Sequence, residues 1–182
     1  MFDLHRLIEA SRAAVAEDQG GFRAVRELVT RTVSDPQAVL AGLGEPRRGG
    51  LQVLYNSADL TILNVVWGPK MTIMPHNHQM WAVIGVYTGA EDNIFWRRLP
   101  KGPEGAVEAA GAKSLRVRDC AVLGKDIIHS VTNPLARLTG AIHVYGGDFL
   151  AMQRSEWDPE TLSEQPYDLE KAKRMFEESS SR

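Results

Sequence analysis

Two histidines are the residues of this sequence whose type and spacing point most directly to chemistry. His76 and His78 stand two positions apart, just ahead of the apolar run 81–87. Side chains alternate between the two faces of a strand, so histidines at i and i+2 lie on the same face. Imidazole is the commonest metal ligand in proteins. On an inward face the pair could hold one metal ion together; a chance pair in a surface loop is the alternative.

Two other histidines lie in later segments of strand-like sequence. His129 falls in the run 127–132 and His143 in the run 140–145, whereas His5 belongs to the N-terminal region. If these runs are neighbouring strands of a small barrel, their histidines could join the first pair at one site. Taken alone, His143 could equally be a core residue with satisfied hydrogen bonds.

The elements that must position these residues fall into a helical part and a β part. Residues 1–45 carry apolar side chains at helical spacing, and Asp35-Pro36 predicts an N-cap followed by a short helix through Leu43. A loop rich in Gly, Pro and Arg follows at 44–50. Short β-branched and aromatic runs then predict strands at 51–55, 60–67, 81–87, 94–98, 115–118, 121–123, 127–132, 140–145 and 149–153.

Many short strands separated by regular turns predict a sandwich or a barrel. The segment Lys101 to Gly111 is rich in Gly, Pro and Ala and predicts an exposed loop. A helix from Tyr167 to Ser179 is expected to lie against the outside of the barrel. We therefore predict one domain over 1–182, with a helical segment at 1–45, a β-barrel core at 51–154 and a tail at 155–182.

Composition excludes several function classes. The 182 residues suit one compact domain, and the net charge of -2 gives no electrostatic case for binding nucleic acid or an anionic membrane. The lone Cys120 excludes an intrachain disulfide and suits a reducing compartment. No run reaches transmembrane length, and the first residues lack the basic start and apolar stretch of a signal peptide. We expect a cytoplasmic protein.

The histidine segment resembles the first motif of the cupin superfamily. His76, His78 and Gly89 fall where that motif has its two histidines and its closing glycine. Ala82, or Val83 on the longer spacing, stands where the motif usually has a glutamate.

The second cupin motif ends in His-x3-Asn, which His129 and Asn133 match, while a turn at 124–126 replaces its Pro-x-Gly. The resemblance implies a mainly β fold, the double-stranded β-helix or jelly-roll barrel, with N-terminal α-helices and a short C-terminal helix. It also implies one metal ion held by His76, His78 and His129.

The missing glutamate indicates which branch of the superfamily the sequence resembles most. Two histidines and a carboxylate give Fe(II) one negative charge, whereas three neutral histidines leave it more Lewis acidic and favour an anionic ligand such as a thiolate. This combination resembles the cysteine dioxygenase family of thiol dioxygenases, whose iron binds substrate sulfur and O2 together. The family implies Fe(II); three histidines also suit Zn, Ni, Cu or Mn.

A late strand adds a second match to that family. Thiol dioxygenases carry Ser-x-His-x-Tyr, and the strand here has His143 and Tyr145 with Ala141 in place of the serine. All three side chains point to one face by strand alternation. The resemblance implies that the Tyr145 hydroxyl lies near the iron and that His143 orients it by a hydrogen bond. These two are the candidate catalytic residues.

An arginine is the candidate for binding the substrate. Bacterial mercaptopropionate dioxygenases place an arginine nine residues after the tyrosine, and Arg154 stands nine after Tyr145. A bidentate arginine is the usual clamp for a carboxylate. The alternative is a solvated surface arginine beside Glu156. Arg97 and Arg98 are further candidates, since neighbours on a strand point to opposite faces.

Three other residues carry smaller expectations. Mammalian-type members crosslink a cysteine to the active-site tyrosine, but Val83 or its neighbour occupies that position, so we predict no crosslink. Cys120 is expected to be a small core residue. Glu91 follows the turn at Gly89 and could reach a metal, although turn chemistry alone accounts for an acidic residue there.

The sequence therefore predicts an Fe(II), O2-dependent dioxygenase that oxidises a small thiol carboxylate, such as cysteine or mercaptopropionate, to its sulfinate. One rival is a cupin metalloenzyme acting on a non-thiol substrate such as a diketone. The other is a metal-binding or sensory cupin without turnover. An arginine within reach of the metal favours the thiol carboxylate, and a wholly apolar pocket favours the diketone.

Overall fold

The computed structural model describes residues 2–17, 22–101 and 104–179. Three helices precede the strands in these ranges, and a fourth follows them. The elements are α1 (Leu4–Glu17), α2 (Phe22–Ser34), α3 (Pro36–Leu43), β1 (Gly50–Asn56), β2 (Thr61–Trp67), β3 (Thr72–Asn77), β4 (Ala82–Thr88), β5 (Ala90–Arg98), β6 (Val107–Arg116), β7 (Cys120–Leu123), β8 (Ile128–Thr132), β9 (Thr139–Tyr145), β10 (Ser155–Trp157), β11 (Glu164–Pro166) and α4 (Leu169–Glu178).

The strands form two antiparallel sheets that enclose a common core. One sheet has the order β1-β2-β9-β4-β7, and the other has the order β11-β10-β3-β8-β5-β6. The chain changes sheet at each step from β2 to β5 and again at each step from β6 to β10. This is the predicted fold class, a mainly β double-stranded β-helix with N-terminal helices and a short C-terminal helix.

The central strands of the five-stranded sheet, β2, β9 and β4, are buried on both of their faces. Side chains such as Leu63 and Ile84 pack between the sheets, while Ile62 and Val83 pack outward against the helices. Because both faces are covered, every residue of β2 and β9 is buried, and most of their residues are apolar. This explains why these strands could be recognised in the sequence.

The N-terminal segment is helical as predicted, and in the described residues it forms α1, α2 and α3. The Asp35 carboxylate accepts a hydrogen bond from the Ala38 amide at 3.1 Å, and Pro36 is the first residue of α3. Helix α2 lies so close to β4 that a Cβ at Gly85 would be 2.5 Å from a methyl group of Val29. None of the helices in the described ranges has the length and apolarity needed to cross a membrane.

Two residues of the sequence motifs, Asn133 and Gly89, stabilise turns of the backbone. Asn133 is fully buried, and its amide donates to the carbonyls of Gly68 and Arg137, each at 2.8 Å, while its oxygen accepts from the Thr139 hydroxyl at 3.1 Å. Gly89 has a φ of 80°, and a Cβ there would lie 2.8 Å from the Thr139 Cα. These contacts fix the turns that join the two sheets.

Three expectations are wrong. The loop predicted at 101–111, of which 102 and 103 lie outside the described residues, gives way to β6 at Val107, because this edge strand pairs along β5. The run 149–153 is not a strand, since the Asp148 carboxylate caps a turn there. The tail is not confined to the outside: β10 and β11 extend the six-stranded sheet, and α4 inserts Phe176 into the core.

Candidate metal centre

Three histidines from two neighbouring strands meet inside the barrel. His76 lies in β3 directly opposite His129 in β8, and His78 follows the last residue of β3. All three side chains are buried. The His78 Nε2 atom lies 3.2 Å from the Nε2 atom of His76 and 3.3 Å from that of His129. The structure thus brings together the three residues that the sequence proposes as metal ligands.

The hydrogen bonds of these rings leave nitrogen lone pairs facing one another. His76 Nδ1 lies 2.9 Å from the Met74 carbonyl oxygen, and His129 Nδ1 lies 2.9 Å from Asn93 Oδ1. Both partners accept, so each Nδ1 carries the proton and each Nε2 presents a lone pair. Hydrogen bonds within the cluster cannot satisfy three such nitrogens, because His78 Nε2 can donate at most one proton.

A metal ion satisfies this arrangement. Nitrogens at about 2.0–2.1 Å from a metal with roughly 90–110° between them lie about 2.9–3.4 Å apart. The measured separations of 3.2 and 3.3 Å fall in this interval. The carbonyl and amide behind the rings are the kind of outer partner that orients a ligating histidine. His76, His78 and His129 could therefore hold a metal ion.

Burial keeps the cluster neutral. It lowers the pKa of His76 from 6.5 to about 4 and lowers the pKa of His78 and His129 well below 6.5. Within the described residues, the cluster includes no carboxylate or thiolate. Ala82, which stands at the usual glutamate position, is fully buried in the core. The donor set is three uncharged imidazoles.

The depressed pKa values make the metal-free protein sensitive to acid. Between pH 6.5 and about 4, the unfolded chain protonates His76 and the folded chain does not, so stability falls as the pH falls through this window. At about 1.4 kcal/mol per pH unit, His76 alone lowers the free energy of unfolding by about 2 kcal/mol at pH 5 relative to pH 7. Urea unfolding of metal-free protein at both pH values measures the difference. His76→Gln should reduce it; an unchanged difference contradicts the assignment.

The predicted catalytic pair lies at the edge of the cluster. The Tyr145 and His78 rings meet edge to face with their centroids 5.1 Å apart. Tyr145 Oη lies 3.0 Å from His143 Nδ1, and both side chains are buried. Burial raises the pKa of Tyr145 well above its usual 10, so the phenol keeps its proton. Ala141, on the same strand, offers no hydroxyl to His143.

An acidic residue occupies the other side of His143. Glu91 Oε1 lies 3.3 Å from His143 Nε2 and accepts a hydrogen bond from Trp67 Nε1 at 2.6 Å. Glu91 is fully buried but does not belong to the histidine cluster. The sequence suggested a metal ligand or a turn residue here; the structure instead pairs Glu91 with the candidate catalytic histidine.

Arg154 is buried rather than solvated. Its side chain lies between the rings of Phe149 and Tyr167, with the guanidinium carbon 4.1 Å from each ring centroid. Nη1 donates to the carbonyls of Phe149 at 2.6 Å and Met152 at 3.2 Å. Nε and Nη2, which form one parallel pair of donors, have no hydrogen-bond partner in the described part of the chain. That free pair matches a carboxylate.

Aromatic rings connect Arg154 to the histidines. The ring centroids of Phe149 and Tyr145 are 4.2 Å apart, and those of Tyr167 and His76 are 5.7 Å apart. The charge of Arg154 contributes to the lowered pKa of His76, behind the larger effect of burial. The other candidates are not brought to the site: Arg97 and Arg98 are exposed and pair with Glu108 and Glu164.

A small cavity adjoins the histidines. Its volume of about 30 Å³ is enough for roughly one water-sized group. Besides the three histidines, His143 and Tyr145, its walls are Leu51, Val65, Trp67, Ile73, Val131, Phe149, Tyr167 and Phe176. Arg154 does not line it, although Phe149 and Tyr167, the two rings that contact its guanidinium, do. The cavity is therefore apolar on most sides, with the Tyr145 hydroxyl as a polar group near the histidines.

Comparison with solved structures finds proteins of similar fold. No family model matches the sequence. A cupin family protein with a double-stranded β-helix fold from Methanocaldococcus jannaschii is similar over 58% of this chain and 85% of that one, at 8% identity and a TM-score of 0.47. A Bacillus halodurans protein is similar over 60% and 77%, at 12% identity and a TM-score of 0.50.

The fold of this chain is a double-stranded β-helix. An oxalate decarboxylase of Bacillus subtilis is also similar, over 52% of this chain and 23% of that one, at 14% identity and a TM-score of 0.41. At such low identities these likenesses concern the fold alone. What the cupin barrel of this chain does must be argued from its own residues.

Proposed function

We propose that this cupin barrel is an Fe(II), O2-dependent dioxygenase that oxidises a small thiol carboxylate to its sulfinate. The observation that carries the proposal is the neutral cluster of His76, His78 and His129, which has no carboxylate among its described members. Without a ligand charge, the metal retains its positive charge for an anionic substrate group, and a thiolate is such a group.

The reaction balances without an added reductant. A thiol R–SH and O2 give the sulfinic acid R–SO2H, in which both oxygen atoms are bound to sulfur. Sulfur is oxidised by four electrons and O2 takes up the same four. At neutral pH the acid releases its proton, so no other co-reactant is needed.

The residues of the chain have distinct parts in this proposal. His76, His78 and His129 would hold the iron, whose chemistry is to bring a thiolate and O2 together. The Tyr145 ring lies edge to face against that of His78, and its hydroxyl, held by His143, would hydrogen-bond to a bound group. The surrounding aromatic and aliphatic walls leave little room for water beside a bound substrate.

Arg154 is proposed to bind the substrate carboxylate. Its Nε and Nη2 form an unused pair of buried donors, which a carboxylate satisfies in bidentate fashion. Because Arg154 does not line the cavity, its donors reach a thiol carboxylate bound there only if side chains around the cavity rearrange. The cavity of about 30 Å³ is smaller than a thiol carboxylate, which leads to the same requirement.

Oxygen uptake tests the proposal. Protein loaded anaerobically with Fe(II) is mixed with cysteine, 3-mercaptopropionate or mercaptosuccinate, and O2 consumption is followed together with sulfinate formation by mass spectrometry. We expect one O2 consumed per sulfinate formed with at least one of these thiols. Metal-free protein is the control. If no thiol supports uptake although iron is bound, the thiol part of the proposal is removed.

The cavity wall supports a second candidate, a metalloenzyme acting on an apolar non-thiol substrate such as a diketone. Leu51, Val65, Ile73 and Val131 give the wall its apolar character, and Arg154 does not contribute to it. The same assay with pentane-2,4-dione separates the two candidates. Uptake with the diketone alone would favour the second; bound metal without turnover on either substrate would favour a binding or sensory role.

A further inference from the structure

Glu91 is a buried carboxylate that the proposed reaction does not use. It lies on β5 in the six-stranded sheet, and both of its hydrogen-bond partners, Trp67 and His143, belong to the five-stranded sheet. Burying a carboxylate is costly unless it is paired and hydrogen-bonded. Its Oε1 atom takes both contacts, while Oε2 has no partner among the residues described. Glu91 thus connects the two sheets through the barrel interior, and a buried carboxylate in such a position is expected to have a specific role.

The hydrogen bonds around His143 have one consistent direction. In the described structure, the hydrogen bond of the Tyr145 hydroxyl is the one to His143 Nδ1, at 3.0 Å. A buried hydroxyl donates its proton where an acceptor is available, so Nδ1 is the acceptor. A neutral imidazole that accepts at Nδ1 carries its proton on Nε2, which then donates to Glu91 Oε1. The row therefore runs from Tyr145 through His143 to Glu91.

We infer that Glu91 is a positioning residue that holds His143 in the Nε2–H tautomer. This tautomer turns the proton of the Tyr145 hydroxyl toward His143 and leaves the oxygen lone pairs of Tyr145 directed away from it. Ala141, on the same face of β9, has no polar group that could do this, so the acceptor comes from the facing sheet instead. The inference deepens the proposed function and rests on it only for the catalytic use of Tyr145.

The tautomer can be measured without turnover. Long-range proton–nitrogen NMR of the full chain, labelled with 15N histidine and loaded with Zn²⁺, distinguishes a protonated ring nitrogen from a bare one. His143 is assigned through His143→Gln. We expect a bare Nδ1 and a protonated Nε2 at His143 in the wild type. A protonated Nδ1 would overturn the inference without any Glu91 variant.

Two substitutions test whether Glu91 is responsible. Glu91→Gln keeps an acceptor oxygen and should retain the tautomer, whereas Glu91→Leu removes the acceptor and should produce a mixture of the two tautomers. His129 is an internal reference, because its Nδ1 is held by Asn93 and should be unaffected. A single Nε2–H tautomer in a folded Glu91→Leu protein would overturn the inference.

Activity provides a separate readout. If thiol oxidation is observed, Glu91→Leu should lower kcat about 10- to 100-fold with little change in KM, as for other residues that orient a functional histidine. Its metal content should equal that of the wild type, because Glu91 lies outside the histidine cluster. Glu91→Gln should recover most of kcat. An unchanged kcat in Glu91→Leu overturns the inference, whereas absence of thiol oxidation in the wild type refutes only the proposed function.

Discussion

Replacing His78 with alanine is expected to reduce the metal content of Fe(II)-loaded protein from about one ion per chain to nearly none. Its Nε2 is the nitrogen close to both of the others, at 3.2 and 3.3 Å, so its removal takes away the centre of the donor set. The described cluster has no fourth side chain to compensate. Two neutral imidazoles hold a divalent ion far more weakly than three, because each bond contributes to the same site.

Elemental analysis after desalting measures this effect, and two other histidines provide matched controls. His5 is exposed on α1, so His5→Ala should retain metal like the wild type. His143→Gln alters a buried histidine beside the site but outside the cluster, and should also retain metal. A full complement of metal in His78→Ala would refute the ligand assignment. Loss of metal in His143→Gln would show that the site extends beyond the three histidines.

The strands with the clearest signal in the sequence include those buried on both faces. β2 and β9 carry apolar residues at nearly every position, because one face packs between the sheets and the other under the helices. β6 escaped prediction because it is an edge strand whose central residues are exposed Gly, Ala and polar side chains. The strand forms through backbone hydrogen bonds to β5, and its exposed side chains show no alternation of apolar and polar residues that would predict it. β10 and β11 are only three residues each, too short for periodicity to detect.

The candidate metal site could be predicted because its histidines belong to short sequence motifs, whereas the residues that support them belong to none. The spacing of His76 and His78 identifies them, whereas Glu91 was expected to be a metal ligand or turn residue and Asn93 was not considered. The reason is that the strand was expected to begin at position 94. It begins at Ala90, and strand alternation then directs both residues inward. With that start, alternation alone could have identified them. Phe149 and Tyr167 carry no such signal, since they meet only through the tertiary fold.

Arg154 is the residue whose substitution is expected to have the largest effect on substrate selection. In Arg154→Lys, kcat/KM for a thiol carboxylate should fall about 100-fold, since each hydrogen bond between charged groups contributes about 1.5–3 kcal/mol and lysine cannot reproduce the paired donors. Cysteamine, a thiol without a carboxylate, should be oxidised by the variant and the wild type at similar rates. Oxygen uptake across a concentration series of both compounds measures the ratio.

The comparison between the two thiols separates binding from structure. Arg154 also donates hydrogen bonds to the carbonyls of Phe149 and Met152, so its loss could destabilise the segment 149–152, whose Phe149 lines the cavity. A structural defect of this kind would lower the rates with both thiols equally, and that outcome would contradict a carboxylate-binding role. Arg98→Lys is the matched control, because Arg98 forms an exposed bidentate pair with Glu164 and lies away from the cavity walls. If kcat/KM falls only for the thiol carboxylate, and only in Arg154→Lys, then the Nε and Nη2 donors of Arg154 bind the carboxylate and determine which thiol is oxidised.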